Sequence, residues 1–429
     1  MTLAEEILQA QAQEKVTALG TADIVVGIPS YNNARTIGHV VRAAQAGLIK
    51  YFPTWRAVIV NSDGGSTDGT REVVEKANLD TQELLLVSHP QQPVQRLTTP
   101  YHGVPGKGSA FRTIFRIAEL VHARACAVVD ADLRSITPDW FELLLWPVLE
   151  REYDYVAPYY KRHKYDGTIT NSIVYPLTRA LYGQRVRQPI GGDFGLSGRL
   201  VQHLLTRDVW ATDVARYGID IWMTTTAIAE GFKVCQAYLG AKLHDAKDPG
   251  ADLSAMLMQV VGSVFNLMET YRGVWAQTQN SQPAPLFGFP FEVGLEPVSI
   301  NLARMIGAFA QGCRDLRPIY EQVVSAATLE DLAQAAALPA DRFILRDETW
   351  ATVVCDFALA HHRRTLNREH LLKSLTPLYL GWVASFARQT EPENAIQVEE
   401  RIEKLCLVYE QLKPSLIPHW DAKRGESHE

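Results

Sequence analysis

The chain has 429 residues, of which 47% are hydrophobic and 21% are charged, and its formal net charge is −6. This length suits one large domain with an appendage, and the composition is that of a globular protein. The negative charge and the lack of a basic, aromatic-rich patch argue against nucleic acid as a partner. Five cysteines without paired spacing are typical of reduced thiols in a cytoplasmic protein. Residues 1–20 are polar and no apolar run is long enough to span a bilayer, so we expect neither a signal peptide nor a transmembrane segment.

Strand and helix patterns alternate along the first 150 residues. Buried-strand patterns occupy residues 24–28, 57–61, 83–87 and the run that ends at Asp130. Helical patterns occupy residues 34–48, 71–77 and 108–123, and a polar, proline-rich loop is predicted over 88–106. Strict alternation of this kind predicts a parallel sheet covered by helices.

The pattern changes after residue 150. Strands are predicted at 153–160 and 232–239. Helices are predicted at 168–182, interrupted or bent at Pro176, and at 213–231, with a glycine-rich passage at 191–195. Helical periodicity dominates from residue 252, and residues 298–420 are helical only. We therefore predict four regions: an N-terminal helical extension (1–21), an α/β domain (22–282), a linker (283–297) and an all-α C-terminal region (298–429).

Two carboxylates, Asp130 and Asp132, follow directly after a buried strand. Ligands of open α/β sheets bind at the carboxyl ends of strands, and Mg²⁺ and Mn²⁺ prefer carboxylate oxygens shared with substrate phosphates. A lone Asp-x-Asp is more often a solvated turn, so the pair predicts a metal site only if other motifs support it. His244, which follows another strand pattern, can add a neutral nitrogen ligand, although a single histidine is more often structural.

Two further motifs join a strand or loop to a helix. Residues 61–70 are dense in Asp, Gly, Ser and Thr, which suits either a helix cap or a site where Asp63 meets a nucleobase or ribose. Residues 103–109 bring Lys107 to a helix start between glycines, without the spacing of a Walker A loop. Lys107 can meet a diphosphate at the helix N-terminus, or the segment can be a hinge with a solvated lysine.

These motifs in this order resemble the GT-A glycosyltransferases, and among them the retaining enzymes that make glucosylglycerate, mannosylglycerate and glucosyl-3-phosphoglycerate. The resemblance covers about residues 22–270. It implies a GT-A fold: a mostly parallel sheet flanked by helices, here with an all-α C-terminal region. The segments that carry it are Pro29-Ser30-Tyr31-Asn32, residues 63–70, Pro105-Gly106-Lys107-Gly108, Asp130-Ala131-Asp132, residues 188–193, Tyr217-Gly218-Ile219-Asp220 and Lys242-Leu243-His244.

The resemblance also implies roles for individual residues. Asp132 and His244 would bind Mg²⁺ or Mn²⁺, with Asp130 near the ribose or behind the metal ligands. The residues implied for the nucleotide-sugar are Pro29, Asn32, Asp63, Lys107, Asp130, Ala131, Gly191 and Gly192. Those implied for a small hydroxy-acid acceptor, glycerate or 3-phosphoglycerate, are Arg162, Asp166 and Thr170.

The chain departs from its relatives at one point. Enzymes that use phosphoglycerate carry a Gly-Arg-Val-Thr-type run whose arginine helps to hold the acceptor phosphate, but this chain has Gly167-Thr168-Ile169-Thr170. This difference argues against a phosphorylated acceptor. It leaves Lys161, Arg162 or Lys164 to meet an acceptor carboxylate.

For a retaining transfer of glucose or mannose, the resemblance implies a front-face path in which the departing phosphate takes the acceptor proton. Asp193 and Asp220 are the candidate catalytic residues at the reacting face, and one of them must act as general base if the reaction inverts.

The sequence leaves two alternatives to a glycosyltransferase: a sugar nucleotidyltransferase, and a catalytically inactive GT-A domain that binds nucleotide-sugars as a scaffold. The loop after the first strand lacks the arginine-containing, glycine-rich run of nucleotidyltransferases, and retention of Asp132 and His244 argues against an inactive scaffold. The C-terminal region either covers the cleft or mediates formation of a homodimer, and the sequence leaves both open.

Overall fold

The computed structural model describes residues 10–77, 95–100, 106–244, 254–291 and 293–422. The chain forms two compact units that interleave along the sequence. The first unit comprises residues 1–161, 186–245 and 284–295, and the second comprises 162–185, 246–283 and 296–429. The domain boundaries predicted from the sequence differ from this division, and they remain a prediction.

The strands, in chain order, are β1 Ile24–Ser30, β2 Ala57–Asp63, β3 Gln95–Pro100, β4 Ala125–Val128, β5 Tyr155–Lys161, β6 Gln184–Arg185, β7 Phe194–Ser197, β8 Val234–Ala241, β9 Gln282–Pro283 and β10 Leu286–Phe287. Eight of them form the sheet of the first unit, in the order β10-β8-β5-β7-β4-β1-β2-β3. Strand β7 is antiparallel to both its neighbours, and all other pairs in this sheet are parallel. The predicted, mostly parallel α/β sheet is confirmed.

The α-helices, in chain order, are α1 Ala10–Leu19, α2 Ile37–Tyr51, α3 Thr70–Lys76, α4 Lys107–Leu120, α5 Asp139–Arg151, α6 Tyr175–Tyr182, α7 Gly198–Leu205, α8 Ile219–Ala229, α9 Ser254–Thr270, α10 Arg272–Trp275, α11 Leu302–Asp315, α12 Arg317–Val323, α13 Ala326–Ala337, α14 Asp347–His362, α15 Arg368–Thr390 and α16 Ala395–Asp421. A π-helix spans Thr170–Val174, and 3₁₀ turns span Asp213–Ala215 and Ala340–Arg342. The described part of the C-terminal region is helical, as predicted. None of the helices in the described ranges is long and apolar enough to cross a membrane.

The central strands of the first unit are apolar on both faces because helices cover both sides of the sheet. Every residue of β2 and β4 is buried, and one core cluster joins Val26, Ile59 and Ala127 of the strands to Val40 of α2 and Leu144 of α5. Full burial of a valine, leucine or isoleucine side chain contributes roughly 1.5–3 kcal/mol. This core fixes the strand ends on which the polar residues stand.

Three local predictions change. Strand β3 occupies Gln95–Pro100, where we predicted a loop, and the strand predicted at 83–87 lies outside the described residues. Strand β7 was not predicted. The helix predicted at 168–182 is divided into a π-helix and α6, and Pro176 stands in the first turn of α6, where proline is tolerated.

Candidate active site

The candidate site lies at one edge of the large sheet. Strands β1, β2, β4, β5 and β8 are mutually parallel through the sheet order, so their carboxyl ends meet at this edge. Strand β7 runs the opposite way, with Phe194 opposite Val128, so the start of β7 lies where the other strands end. The residues before β7 are therefore brought beside the Asp130 segment.

Two lysines, the partly buried Lys107 and the buried Lys242, bind three aspartates at this edge. The Nζ atom of Lys107, the first residue of α4, lies 2.8 Å from Asp130 and 3.2 Å from Asp220. The Nζ atom of Lys242, just after β8, lies 2.7 Å from Asp130 and 2.9 Å from Asp193. Each oxygen of Asp130 thus meets a different lysine, and the structure brings together four residues that were predicted for the site: Lys107, Asp130, Asp193 and Asp220.

Lys242 ties three parts of the chain together. Besides the two carboxylates, its ammonium donates a hydrogen bond to the carbonyl oxygen of Gly191 at 2.7 Å. Its side chain is 4% exposed, so all three donors of the ammonium are directed at the protein. We assigned Lys242 no role from the sequence, although it stands in the Lys242-Leu243-His244 run, two residues before the predicted metal ligand.

The approach of these groups requires a glycine at position 192. Gly192 has a φ of 93°, in the left-handed region. A Cβ at this position would lie 2.1 Å from Asp130 Oδ2 and 2.7 Å from Lys242 Nζ. The predicted residues Gly191 and Gly192 therefore shape the lysine–aspartate cluster directly.

The pKa values of the two carboxylates in the Asp130-Ala131-Asp132 segment are shifted in opposite directions. Burial favours the protonated form of Asp130, but the charges and hydrogen bonds of Lys107 and Lys242 outweigh it and hold its pKa well below the usual range. Burial raises the pKa of Asp132, and the negative charge of Asp130 adds to this effect, with Lys242 and His244 opposing it. Asp130 is neutralised by the protein, whereas Asp132 would gain from a further cation.

Because Asp132 would gain from a further cation, the groups beside it can be compared with the ligands that a divalent metal prefers. Asp132 and His244 supply a carboxylate oxygen and an imidazole nitrogen, and the two groups interact electrostatically. Within the described ranges, no three His, Cys, Asp or Glu side chains form a group that could hold a metal ion. A metal held by Asp132 and His244 would therefore take its other ligands from a substrate, as Mg²⁺ often does with phosphates. A carboxylate oxygen and an imidazole nitrogen are donor types that such a metal accepts.

The predicted catalytic carboxylates, Asp193 and Asp220, are both engaged by protein groups. Asp193 is 0% exposed, and its Oδ1 accepts the Asp130 N–H at 2.8 Å while Oδ2 accepts from Lys242 and from the Tyr160 hydroxyl. Burial raises the pKa of Asp220, and the charge of Lys107 opposes that rise. The pKa of Lys107 is raised, because the attraction of Asp130 and Asp220 outweighs the effect of burial.

The loops after β1 and β2 form a second polar region of the first unit. Asp63 is buried, and its carboxylate accepts hydrogen bonds from Ser30, Gly65, Ser66 and Arg71. These donors lower its pKa although burial alone would raise it. In this structure Asp63 shapes the loop, and its contact with a nucleotide stays a prediction.

The exposed Asn32 connects the two loops. Its N–H donates to the Ser66 hydroxyl at 2.8 Å, and its side-chain oxygen accepts from the Thr67 N–H at 3.0 Å. Pro29 stands one residue before the end of β1 and is partly buried. The hydroxyl of Thr36 then donates to the carbonyl of Ala131 at 2.7 Å, which joins this region to the Asp130 segment.

The glycines around Lys107 are explained by packing inside the protein. A Cβ at Gly106 would lie 2.5 Å from the Ala215 carbonyl oxygen, and one at Gly108 would lie 1.8 Å from that of Val214. The segment at 213–215 therefore packs directly on the start of α4. Residues 103–105 of this motif lie outside the described residues.

The three predicted acceptor residues lie in the second unit. Arg162 and Asp166 form an ion pair of 3.6 Å, and Thr170 is buried as the first residue of the π-helix. The remaining predicted residues, from Pro29 to His244, belong to the first unit.

Comparison with known proteins supports the resemblance drawn from the motifs. Residues 73–266 match the family model for the GT domain of mannosylglycerate synthase. The matched range contains Lys107, Asp130, Asp132, Asp193, Asp220, Lys242 and His244. The predicted similarity to this group of GT-A glycosyltransferases is confirmed for that segment. No curated protein matches the sequence.

Solved structures of glucosyl-3-phosphoglycerate synthase from Mycobacterium tuberculosis are also similar to this chain. The structure in complex with Mn²⁺, UDP and glucosyl-3-phosphoglycerate is 20% identical, has a TM-score of 0.44, and covers 60% of this chain and 82% of that chain. The complex with Mg²⁺ and UDP is 19% identical, has a TM-score of 0.43, and covers 61% of this chain and 83% of that chain.

Proposed function

We propose that this chain is a metal-dependent, retaining glycosyltransferase. It moves a hexose, glucose or mannose, from a nucleoside-diphosphate sugar to a small carboxylated acceptor such as glycerate. The observation that carries the proposal is the cluster of Lys107, Asp130, Asp132 and His244 at the strand ends, within the segment that matches a glycosyltransferase domain.

The chemistry requires positive charge at the leaving group. Negative charge grows on the diphosphate as the C1–O bond of the donor breaks, and preorganised cations stabilise that charge. Lys107 stands at the N-terminus of the 14-residue helix α4, held by Asp130 and Asp220. Ammonium group and helix N-terminus together favour a bound anion. A divalent metal on Asp132 and His244 would supply further positive charge.

The state of the two candidate catalytic carboxylates supports a retaining reaction. Asp193 is closed off from solvent and accepts hydrogen bonds at both oxygens, so it is not placed to take a proton from a substrate. Asp220 is paired with Lys107. A front-face transfer needs no protein base, because the departing phosphate can take the acceptor proton. In this proposal Asp193 and Asp220 act by holding the lysines in place.

The second unit supports an acceptor without a phosphate group. Thr168 stands where the phosphoglycerate-using relatives carry an arginine, and it is 2% exposed, with its hydroxyl 2.5 Å from the Tyr379 hydroxyl. It therefore offers no charge to an acceptor phosphate. Arg162 is the cation proposed for the acceptor carboxylate. We expect glycerate to be a better acceptor than 3-phosphoglycerate.

The proposal is tested by a matrix of UDP-, GDP- and ADP-sugars against glycerate, 3-phosphoglycerate and related acids, with Mg²⁺ or Mn²⁺. We expect one donor and acceptor pair to give a glycoside whose anomeric configuration, read by NMR, is that of the donor. Release of pyrophosphate from a nucleoside triphosphate and a sugar phosphate would instead show a nucleotidyltransferase. Binding of a nucleotide-sugar without hydrolysis or transfer would show an inactive scaffold.

The metal assignment has its own variant. Asp132→Asn is expected to lower the rate of transfer roughly 100-fold or more, because it removes a charged ligand from a site of developing charge. Asp208→Asn, which changes an exposed aspartate of the same unit, should leave the rate unchanged. EDTA should abolish transfer by the wild type, and Mg²⁺ or Mn²⁺ should restore it. Full activity of Asp132→Asn would contradict the assignment.

A further inference from the structure

The acceptor segment, defined as residues 162–174, contains a lysine that is bound to the end of a helix. The ammonium of Lys164 donates to the carbonyl oxygens of Thr390, Glu391 and Glu393 at 2.6, 2.8 and 3.2 Å. These carbonyls lie at and just beyond the C-terminus of the 23-residue helix α15. The last carbonyls of a helix lack partners within the helix and carry partial negative charge, so a cation is well placed there.

The loop that receives Lys164 is itself braced. Arg401 of α16 donates to Gln389 at 2.9 Å and to Glu393 at 3.1 Å, one on each side of the turn between the two helices. The side chain of Asn394 caps α16 in a capping box with Gln397. Lys164 is therefore bonded to a turn whose position is held by other hydrogen bonds.

Four more hydrogen bonds join the acceptor segment to the helices of the C-terminal region. The Tyr165 hydroxyl donates to the carbonyl of Ala387, and Thr168 bonds to Tyr379. The carbonyl of Ser172, in the π-helix, accepts from the indole N–H of Trp350 and the hydroxyl of Tyr409, both at 3.0 Å. Because π-helices are rare and their hydrogen-bond pattern is irregular, these external donors help to hold this one.

We propose that Lys164 is a positioning residue for the acceptor, and that the helical C-terminal region acts as the scaffold for the acceptor segment. This inference rests on the proposed function. The anchors at Lys164, Thr168 and Ser172 alternate along the segment with the predicted acceptor residues, Asp166 and Thr170. Fixing the anchors fixes the backbone from which those side chains extend. Lys164, with three carbonyl partners, is thus committed to the protein and not to the acceptor carboxylate.

The experiment separates acceptor binding from donor binding. With the donor and acceptor found in the matrix, Lys164→Met should raise KM for the acceptor about tenfold and leave KM for the nucleotide-sugar within twofold. Lys164→Arg, which keeps a cation that can donate to carbonyls, should recover most of the acceptor affinity. Lys373→Met is the matched control, since Lys373 is an exposed lysine of α15 whose ion-pair partner, Glu369, lies one turn away. It should change neither KM.

Hydrogen exchange provides a readout that does not depend on activity. Lys164→Met should speed amide exchange in residues 162–174 and leave β1 and β2 at the wild-type level. If Lys164→Met folds poorly, Tyr165→Phe and Tyr379→Phe, which each remove one hydroxyl, should show the same two effects to a smaller extent. Unchanged acceptor KM in these variants overturns the inference. Unchanged exchange in the acceptor segment overturns it too, even if the wild type transfers no sugar and the proposed function fails.

Discussion

Asp130 is the residue on which the charges of the site converge, because Lys107 and Lys242 each bind one of its oxygens. The two lysines differ in their exposure. The side chain of Lys107 is 17% exposed and can reach a ligand, whereas that of Lys242 is 4% exposed and faces only protein groups. We infer that Lys107 meets the substrate and that Lys242 keeps Asp130, Asp193 and Gly191 in place for it.

Lys242→Met tests this division of roles. Removing the ammonium leaves the carboxylate of Asp193 buried without its cation, whereas Asp130 keeps Lys107. Breaking a buried ion pair on one side costs about 3–5 kcal/mol. We expect a lower melting temperature. We also expect kcat to fall roughly 100-fold, because the charged groups around Asp130 would no longer be held in position. Adding Asp193→Asn should recover part of the stability, because it removes the buried carboxylate charge that has lost its cation.

The control for this variant is Lys233→Met, an exposed lysine just before β8 whose ion pair with Glu152 is at the surface. It should match the wild type in kcat and melting temperature, as exposed pairs contribute little. Lys242→Arg should not restore activity, since the larger guanidinium does not fit where the lysine side chain is only 4% exposed. A kcat near that of the wild type in Lys242→Met would show that Lys242 is dispensable.

The position of a site residue was predictable from sequence when the residues next to it in the chain determine that position. Asp130 and Asp132 stand one residue apart after an apolar run, so their joint position at a sheet edge follows from local pattern. The role of Lys242 depends on Asp130, Gly191 and Asp193, which no local pattern connects to it. Asp63 was predictable as a turn residue. That its carboxylate accepts hydrogen bonds from four other residues was not predictable.

Secondary-structure elements with long apolar patterns, such as β1, β2 and α4, were predicted closely. Strand β7 was missed because it has only four residues, two of them glycine and serine, and lies beside a glycine-rich passage. Its antiparallel direction follows from the partners that it finds in the sheet, β4 and β5. Yet that direction is what brings Asp193 to the site.

Helix α14 contains a carboxylate whose environment makes stability depend on pH. Burial raises the pKa of Asp356 to about 6, against the opposing effects of the Ser325 N–H and the charges of His419 and Arg363. The folded state therefore binds a proton more tightly than the unfolded state, whose aspartate has the ordinary value of 3.8. The contribution of Asp356 to stability is most favourable below pH 4 and is lost as the pH rises through 6.

Asp356→Asn should consequently stabilise the protein more at pH 7 than at pH 5. The gain at pH 7 is at most about 3 kcal/mol, since each pKa unit corresponds to about 1.4 kcal/mol. Urea unfolding at the two pH values measures it. Asp341→Asn, at an exposed position of the same unit, should show no such pH-dependent gain. A gain for Asp356→Asn that is equal at both pH values would mean that its carboxylate titrates normally.

The whole chain is organised as two interleaved units, and the sequence does not reveal this. Composition and helical periodicity suggest a boundary near the proline-rich stretch at 283–297, because local patterns change there. The contacts of residues 162–185 cross that boundary: Arg179, 0% exposed, binds Glu403 and Glu410 of α16. Lys413 of α16 donates to the carbonyls at the end of α6, at Ala180 and Leu181. Only the three-dimensional packing assigns these residues to the second unit.

A truncation tests whether the C-terminal region is required for the fold of the rest. Removing residues 298–429 would take away both glutamates that Arg179 binds and would expose apolar side chains such as Leu177 and Leu181, now 2% and 0% exposed. We expect the fragment 22–297 to be insoluble or to lack a cooperative thermal transition, whereas removal of the polar residues 423–429 should leave the transition unchanged. Solubility, circular dichroism and calorimetry of the two truncations measure this. A soluble 22–297 fragment that unfolds cooperatively would instead establish the boundary predicted from sequence, because residues 162–185 would then be able to fold without α16.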